Sequence, residues 1–136
     1  MLSTTLTGTD ISCNGANDGQ ASVAASGGAS PYTYAWSPGG STDASISNLS
    51  GNTYTVVVTD NNSCSVTEQV TINDPAVLTG TMSSTDISCN GLNDGIATIS
   101  AAGGTTPYTY AWAPGGETSS SISSLLLGDY TVTLTD

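Results

Sequence analysis

Apolar and polar residues alternate in a series of short segments along this chain. In QASVAAS, for example, Ala21, Val23 and Ala25 fall on one face, and the same alternation occurs in PYTYAW, YTVVVTD, SVTEQVTI and IATISAA. A period of two predicts β-strands, and no window keeps the 3.6-residue period of a helix over helical length. The stretches between these segments are rich in Gly, Pro, Asn, Asp and Ser, which favour turns. The pattern therefore predicts an all-β protein built from sandwiches of about six or seven short strands.

The chain repeats itself. The seven residues TDISCNG begin at Thr9 and again at Thr85. When the 52 residues that start at Thr9 are aligned without a gap to the 52 that start at Thr85, 33 positions are identical. We therefore predict two tandem sandwiches, the first at residues 1–75 and the second at residues 76–136. The second copy stops before the counterpart of the first copy's last predicted strand, so the sequence is expected to be a window on a longer chain.

A Leu-x-x-Gly-x-Tyr pattern, Leu125 to Tyr130, precedes a predicted strand of the second copy. Immunoglobulin-like sandwiches have this form at the tyrosine corner, where a tyrosine braces the turn between the sheets. Tyr54 holds the same place in the first copy, and Trp36 and Trp112 are expected to be buried beneath the two tyrosines. These four aromatic residues are predicted to be structural. The alternative is an aromatic platform for sugar stacking, which needs rings in solvent, whereas the alternation turns them inward.

Composition excludes several functions. The chain has eleven Asp and Glu residues, no Lys, Arg or His, and a formal net charge of −11. It therefore cannot neutralise phosphates, and nucleic-acid binding is excluded. No apolar run is long enough for membrane insertion, and no basic stretch leads into an apolar one as in a signal peptide, so any export signal is expected outside this window. Without His or Lys to activate a serine or cysteine, and with sparse carboxylates in predicted turns, no catalytic residue, cofactor or enzyme activity is predicted.

The ordered series CNGANDG, GGASPYTYAWSPGG, YTVVVTDNNSC and VTINDP resembles the SprB repeat, which occurs in tandem in very large cell-surface adhesins of gliding bacteria of the Bacteroidetes group. More distantly, it resembles the polycystic-kidney-disease (PKD) type of immunoglobulin-like domain. The resemblance covers the whole first copy and as much of the second as is present. It implies tandem immunoglobulin-like, PKD-like antiparallel β-sandwiches in an exported stalk or adhesin segment, with a link to gliding motility.

Three cysteines are expected to form a disulfide framework, as is usual in small exported β domains. Cys13 and Cys64 share the parity of the apolar residues beside them, so both are predicted to point inward and to pair. Cys89 is the counterpart of Cys13, and its expected partner would fall beyond the sequence. A Cys64–Cys89 bridge and free or intermolecular thiols are the alternatives. If the first and last strands run parallel, Cys13 and Cys64 lie at opposite ends, and their pairing then requires a short or displaced first strand.

The repeated loop also places oxygen-bearing side chains at positions 1, 3, 5 and 9 of a calcium-loop spacing. The twelfth position, where a bidentate Glu is needed, is an alanine in both copies. The match is therefore to a weak calcium site, and the alternative is a turn made by the same residues. The candidate ligands are Asp10, Ser12, Asn14 and Asp18, and then Asp86, Ser88, Asn90 and Asp94.

Three functions are compatible with these features. The first is a structural repeat of an extracellular cell-surface adhesin or filament, with like units in the same or neighbouring chains as its partners and surface glycans as a further ligand class. The second is a carbohydrate-binding or spacer module of a secreted multidomain enzyme. The third is a calcium-dependent interaction module. The near-identity of the copies, the cysteines and the lack of catalytic groups favour the first, as an array of sandwiches joined end to end.

Overall fold

The computed structural model describes residues 1–136, which form eleven β-strands and no helix. It therefore has no helix of the length and hydropathy that crossing a membrane requires. The chain divides into two compact units, unit 1 (Met1–Pro75) and unit 2 (Ala76–Asp136). The strands are β1 (Ser3–Thr9), β2 (Gly19–Ser26), β3 (Thr33–Ser37), β4 (Ser45–Leu49), β5 (Asn52–Thr59), β6 (Ser65–Ile72), β7 (Thr79–Thr85), β8 (Gly95–Ala102), β9 (Thr109–Ala113), β10 (Ser121–Leu125) and β11 (Thr131–Thr135).

Unit 1 consists of two three-stranded antiparallel sheets. The first has the order β1-β2-β4 and the second the order β3-β5-β6. The longest pairing joins β5 to β6, from Asn52 opposite Ile72 to Thr59 opposite Ser65. Two antiparallel sheets, with their apolar faces turned to a shared core, are the architecture that period-two alternation predicts. The expected all-β antiparallel fold is confirmed.

The core of unit 1 lies between these sheets. Val56 and Val58 of β5 are fully buried, and Trp36 and Ile72 are 2% and 1% exposed. Each aliphatic side chain buried in this way stabilises the fold by about 1.5–3 kcal/mol. The Trp36 indole N–H donates to the Asp43 carbonyl at 2.8 Å, so the polar atom of the ring is satisfied in the core.

β1 and β6 lie beside each other in opposite sheets and run in the same direction. Near the start of β1, the Thr4 hydroxyl donates to Glu68 at 3.0 Å. Beyond its end, the Ile11 N–H donates to the Asn73 carbonyl at 3.4 Å. From the first contact to the second, the residue number increases in the segment of β1 and also in the segment of β6. The two strands are therefore parallel. Because β1 opens unit 1 and β6 closes it, the chain enters at one end of the sandwich and leaves at the other.

Unit 2 repeats this plan with fewer strands. Its sheets have the orders β10-β8-β7 and β11-β9, and no strand of unit 2 takes the place of β6. Its buried core contains Ala97, Ile99, Trp112 and Ile122. β11 has five residues where its counterpart β5 has eight, so the counterparts of the first three positions of β5 are not extended into the strand.

Candidate functional site

The four aromatic residues singled out in the sequence lie in or beside the two cores. Trp36 and Trp112 are each 2% exposed, and Tyr54 is 6% exposed. The Tyr54 hydroxyl donates to the Ser50 carbonyl at 3.2 Å, the upstream backbone contact of a tyrosine corner. Tyr130 is half-buried, and its hydroxyl makes the equivalent bond to the carbonyl four residues upstream at 3.3 Å. The tyrosine-corner bonds and the burial of the two tryptophans support a structural role for these rings.

The repeated TDISCNG sequence forms a loop that closes on itself through one aspartate. In unit 1 the Asp18 carboxylate accepts from the Ser12 N–H at 3.0 Å and from the Ser12 hydroxyl at 2.6 Å. In unit 2, Asp94 accepts from the Ser88 N–H and hydroxyl at 3.0 and 2.5 Å. The serine hydroxyls, followed by the serine N–H groups, hold the pKa of Asp18 and of Asp94 below the ordinary value. The loop fold is therefore the same in both units.

In unit 1 the same loop also binds the segment that follows β6, which we call the Asn-Asp-Pro segment (Asn73–Pro75). The Asp10 carboxylate accepts from the Asn73 backbone N–H at 2.8 Å and from the Asn73 amide at 3.1 Å. The Asn14 amide donates to Asp74 at 3.1 Å and to the Pro75 carbonyl at 2.7 Å. Two loop side chains thus hold three consecutive residues that are about sixty positions later in the chain.

Sequence reasoning missed this contact. It treated Asp10 and Asn14 as calcium candidates or turn formers and gave no role to the Asn-Asp-Pro segment. The backbone N–H of Asn73, with its side-chain amide next, lowers the pKa of Asp10. The available signal was the occurrence of Asp and Asn at the same loop positions in both copies, but their partner is too distant in sequence to be inferred from spacing.

The structure does not bring the calcium candidates together. Asp10 and Asn14 are bonded to the Asn-Asp-Pro segment, whereas Asp18 is bonded to Ser12 within the loop. No group of three or more Asp, Glu, Cys or His side chains is placed to hold a metal ion. Asp18 therefore stabilises the turn of the loop itself, whereas Asp10 and Asn14 bind a segment outside the loop.

Asp60 closes the end of unit 1 that lies opposite the repeated loop. Asp60 is 6% exposed, and its carboxylate accepts from the backbone N–H groups of Ala29 at 3.1 Å and Cys64 at 2.9 Å. These bonds, the one from Ala29 first, lower the pKa of Asp60. Asp136, the counterpart in unit 2, accepts from the Thr105 N–H at 2.8 Å. In unit 1 one carboxylate therefore ties two turns together, and in unit 2 its counterpart bonds to the first of these turns.

The expected Cys13–Cys64 disulfide is not formed, and the prediction that both side chains point inward is wrong. Cys13, Cys64 and Cys89 are free, exposed thiols. Cys13 follows the end of β1 and Cys64 precedes the start of β6, so these parallel strands place them at opposite ends of unit 1. An eight-residue strand spans roughly 25 Å, whereas a disulfide needs Cα atoms within about 7 Å. The parity argument failed because alternation does not continue through the turns in which both cysteines lie.

Unit 2 has an open groove on one side. The groove has a volume of about 480 Å³, and it lies between the end of β7, the start of β8 and the segment that joins β10 to β11. Among its lining residues, Met82, Ile96, Leu126 and Leu127 are 48%, 42%, 56% and 86% exposed. These exposed side chains give unit 2 an apolar surface at the groove.

The comparisons with known proteins agree with this fold. The family model of the SprB repeat matches residues 5–41 and 81–117, one segment in each unit. A solved structure of three N-terminal domains of the bacteriophage RB49 Highly Immunogenic Outer Capsid protein (Hoc) is similar with a TM-score of 0.63 and 15% sequence identity. The match covers 99% of this chain and 54% of that one, so the chain spans about half the length of the solved relative. No curated protein matches the chain.

The structural likeness supports the fold alone at this level of identity, and it confirms the predicted tandem immunoglobulin-like sandwiches. SprB repeats and immunoglobulin-like domains are non-catalytic module types. The two segments that match the SprB repeat together make up more than half of the chain. The chain therefore belongs to the SprB repeat family.

Proposed function

We propose that the chain is a structural repeat segment of an extracellular cell-surface adhesin or filament. The SprB repeat family is found in cell-surface adhesins, which supports display outside the cell. The two copies keep the same loop, the same core tryptophan and the same turn-closing aspartate, as expected if each copy serves as an interchangeable module. Contacts with like units are then its main interactions, and a role in gliding motility is the finer form of this proposal.

The observation that carries the proposal is the course of the chain through unit 1. The Met1 carbonyl lies beside Gly27 at one end, and the Pro75 carbonyl is held by Asn14 at the other. Because β1 and β6 run in the same direction, the first and last residues of such a unit lie at opposite ends of the sandwich. The distance between them is therefore about the length of the unit. Repetition of such a unit lengthens a molecule, which is what a stalk or filament requires.

The surface of each unit has no cationic side chains, and its hydroxyl groups interact with solvent instead. Hydroxyl pairs lie across neighbouring strands, such as Thr7 with Ser22 at 2.9 Å and Thr53 with Thr71 at 3.0 Å. Such pairs support the sheet from its polar face. The net charge of −11 disfavours unspecific clumping of neighbouring molecules, so lateral contacts require a specific strand edge or groove.

Surface display is tested by treating intact cells that express the full-length protein with proteinase K and detecting the repeat with an antibody. Trypsin is unsuitable because the segment has no Lys or Arg. The proposal expects loss of the repeat from intact cells and no loss of a cytoplasmic marker. A repeat that is protected in intact cells and cleaved only after lysis contradicts it.

The structural role is tested by stretching the 136-residue chain between two handles in single-molecule force spectroscopy. We expect each unit to unfold in a separate event that releases roughly 3.6 Å of contour length per residue. Small-angle scattering of the same chain should give an elongated particle. A single cooperative event together with a compact, side-by-side particle would overturn the stalk role without bearing on cell-surface display.

A further inference from the structure

We propose that Asn14 and Gly15 form a self-modification site in unit 1, at which Asn14 loses its side-chain amide as ammonia, and that the Asn-Asp-Pro segment controls the rate. The only other reactant is water. An asparagine that precedes a glycine is prone to this reaction, because glycine has no side chain to hinder attack by its own backbone nitrogen. The reaction does not depend on where the protein is displayed.

The reaction joins the two residues in a ring, which water then opens. The Gly15 backbone nitrogen forms a bond to Cγ of Asn14, and the bond from Cγ to Nδ2 breaks. The proton of the Gly15 N–H passes to solvent, and the departing Nδ2 takes up a proton from solvent and leaves as ammonia. Water adds to either carbonyl carbon of the resulting succinimide and gives aspartate or isoaspartate at position 14. No oxidant or reductant is consumed.

The repeated loop leaves this pair of residues open to solvent. Asn14 and Gly15 are exposed and are the central residues of a tight turn, in which the Ala16 N–H donates to the Cys13 carbonyl at 2.9 Å. Gly15 has a φ of +74°, and a Cβ placed on it would meet no atom within 4 Å. Water can therefore reach both residues, and packing does not prevent the ring from closing.

The Asn-Asp-Pro segment holds both reacting groups. The Asn14 amide donates to Asp74 Oδ1 at 3.1 Å and to the Pro75 carbonyl at 2.7 Å. The Gly15 N–H donates to the same Asp74 oxygen at 3.2 Å. Ring closure turns Cγ of Asn14 toward the Gly15 nitrogen and removes the proton from that nitrogen, so all three hydrogen bonds have to break. The contact therefore slows the reaction, and opening of the segment permits it.

Modification of Asn14 in turn weakens the hold on the segment. The new carboxylate has no N–H to donate, and its oxygens face the Asp74 carboxylate and the Pro75 carbonyl. The chain has no Lys, Arg or His to neutralise two neighbouring carboxylates. Isoaspartate also inserts a methylene group into the backbone of the turn. Each opening of the segment thus adds to a population in which the end of unit 1 is irreversibly less well held.

The test follows Asn14 by peptide mapping of the full 136-residue chain during incubation at neutral pH. Mass spectrometry detects the replacement of NH₂ by OH, and an isoaspartyl methyltransferase labels the isoaspartate product. Asp74→Ala should raise the rate constant at Asn14 about tenfold or more, because it removes the acceptor of two of the three bonds. Asp43→Ala, which removes a carboxylate from the segment before β4, should leave the rate unchanged.

The wild-type chain unfolded in urea supplies the unrestrained rate and requires no variant to fold. Asn14 should react about tenfold or more faster in the unfolded chain than in the native protein. Equal rates in the two states would overturn the proposal. A lower rate for Asp74→Ala than for the wild type would make Asp74 a base for the reaction and would overturn its restraining role.

Asn14→Asp tests the effect of the product on the segment. Hydrogen exchange in the peptic fragment that contains the end of β6 and the Asn-Asp-Pro segment should become faster than in the wild type. Asn14→Ala removes the same donors without adding a carboxylate, and it should have the smaller effect. An effect of Asn14→Asp no greater than that of Asn14→Ala would show that the new charge does not weaken the hold on the segment.

Discussion

Asp10 accepts hydrogen bonds from two donor groups of Asn73, at 2.8 Å from the backbone N–H and at 3.1 Å from the side-chain amide to each carboxylate oxygen, across 63 residues of sequence. This contact fixes the end of β6 against the loop that follows β1. Its counterpart in unit 2, Asp86, has no such partner. Within residues 1–136, the aspartates of the two identical heptapeptides therefore differ in what they contribute to stability.

The first prediction compares these two residues. Asp10→Ala should lower the urea midpoint of unit 1, because Asn73 loses both of its acceptors, and Asp86→Ala should leave the midpoint of unit 2 unchanged. Pulsed hydrogen exchange with peptic mapping at increasing urea concentration reports the two units separately. An equal decrease in both units would contradict the assignment of Asp10 to the Asn-Asp-Pro contact.

The second prediction concerns the largest fully buried side chain of unit 1. Ile72→Ala should destabilise unit 1 by about 2–5 kcal/mol, because it removes a side chain that is 1% exposed and leaves a cavity between the sheets. Thr71→Ala is the matched control, since the side chain of Thr71 is exposed on the same strand. Urea unfolding followed in unit 1 measures both. A cost for Ile72→Ala no greater than that for Thr71→Ala would show that β6 does not seal the core.

The third prediction is a pH dependence. The backbone N–H of Ala29, followed by that of Cys64, lowers the pKa of Asp60 below the ordinary value of 3.8 in the folded state. A depressed folded pKa contributes stability that is present above the unfolded value and is lost as the pH falls through the folded pKa. Unit 1 should therefore lose stability in acid more steeply than the Asp60→Asn variant, in urea titrations from neutral to acid pH. Identical acid slopes for the two proteins would be incompatible with this role.

The fourth prediction follows from the three exposed thiols. Native protein should react with an aromatic disulfide reagent at Cys13, Cys64 and Cys89, and reductant should leave the unfolding midpoint unchanged. A triple Cys→Ser variant is the control for both measurements. Recovery of a Cys13–Cys64 peptide in non-reducing mapping, with a lower midpoint after reduction, would restore the disulfide framework that the sequence suggested.

The strand pattern was predictable because the burial of alternate residues is local. Residues such as Val23, Val56 and Ile99 are apolar at a period of two, and the structure buries each of them in the expected all-β fold. The repeat also needed no structure, since the two TDISCNG segments can be aligned directly. The repeat offset likewise made it possible to compare Asp10 with Asp86 and Tyr54 with Tyr130 before any contact was known.

What the tertiary structure decided is which distant segments meet. The parallel course of β1 and β6 separates Cys13 from Cys64, although their parity suggested a bridge. The same course brings Asn73 to Asp10. Alternation determines the face on which a side chain lies within a strand. It contains no information on the direction of strands from opposite sheets, because that direction is set by packing across the core.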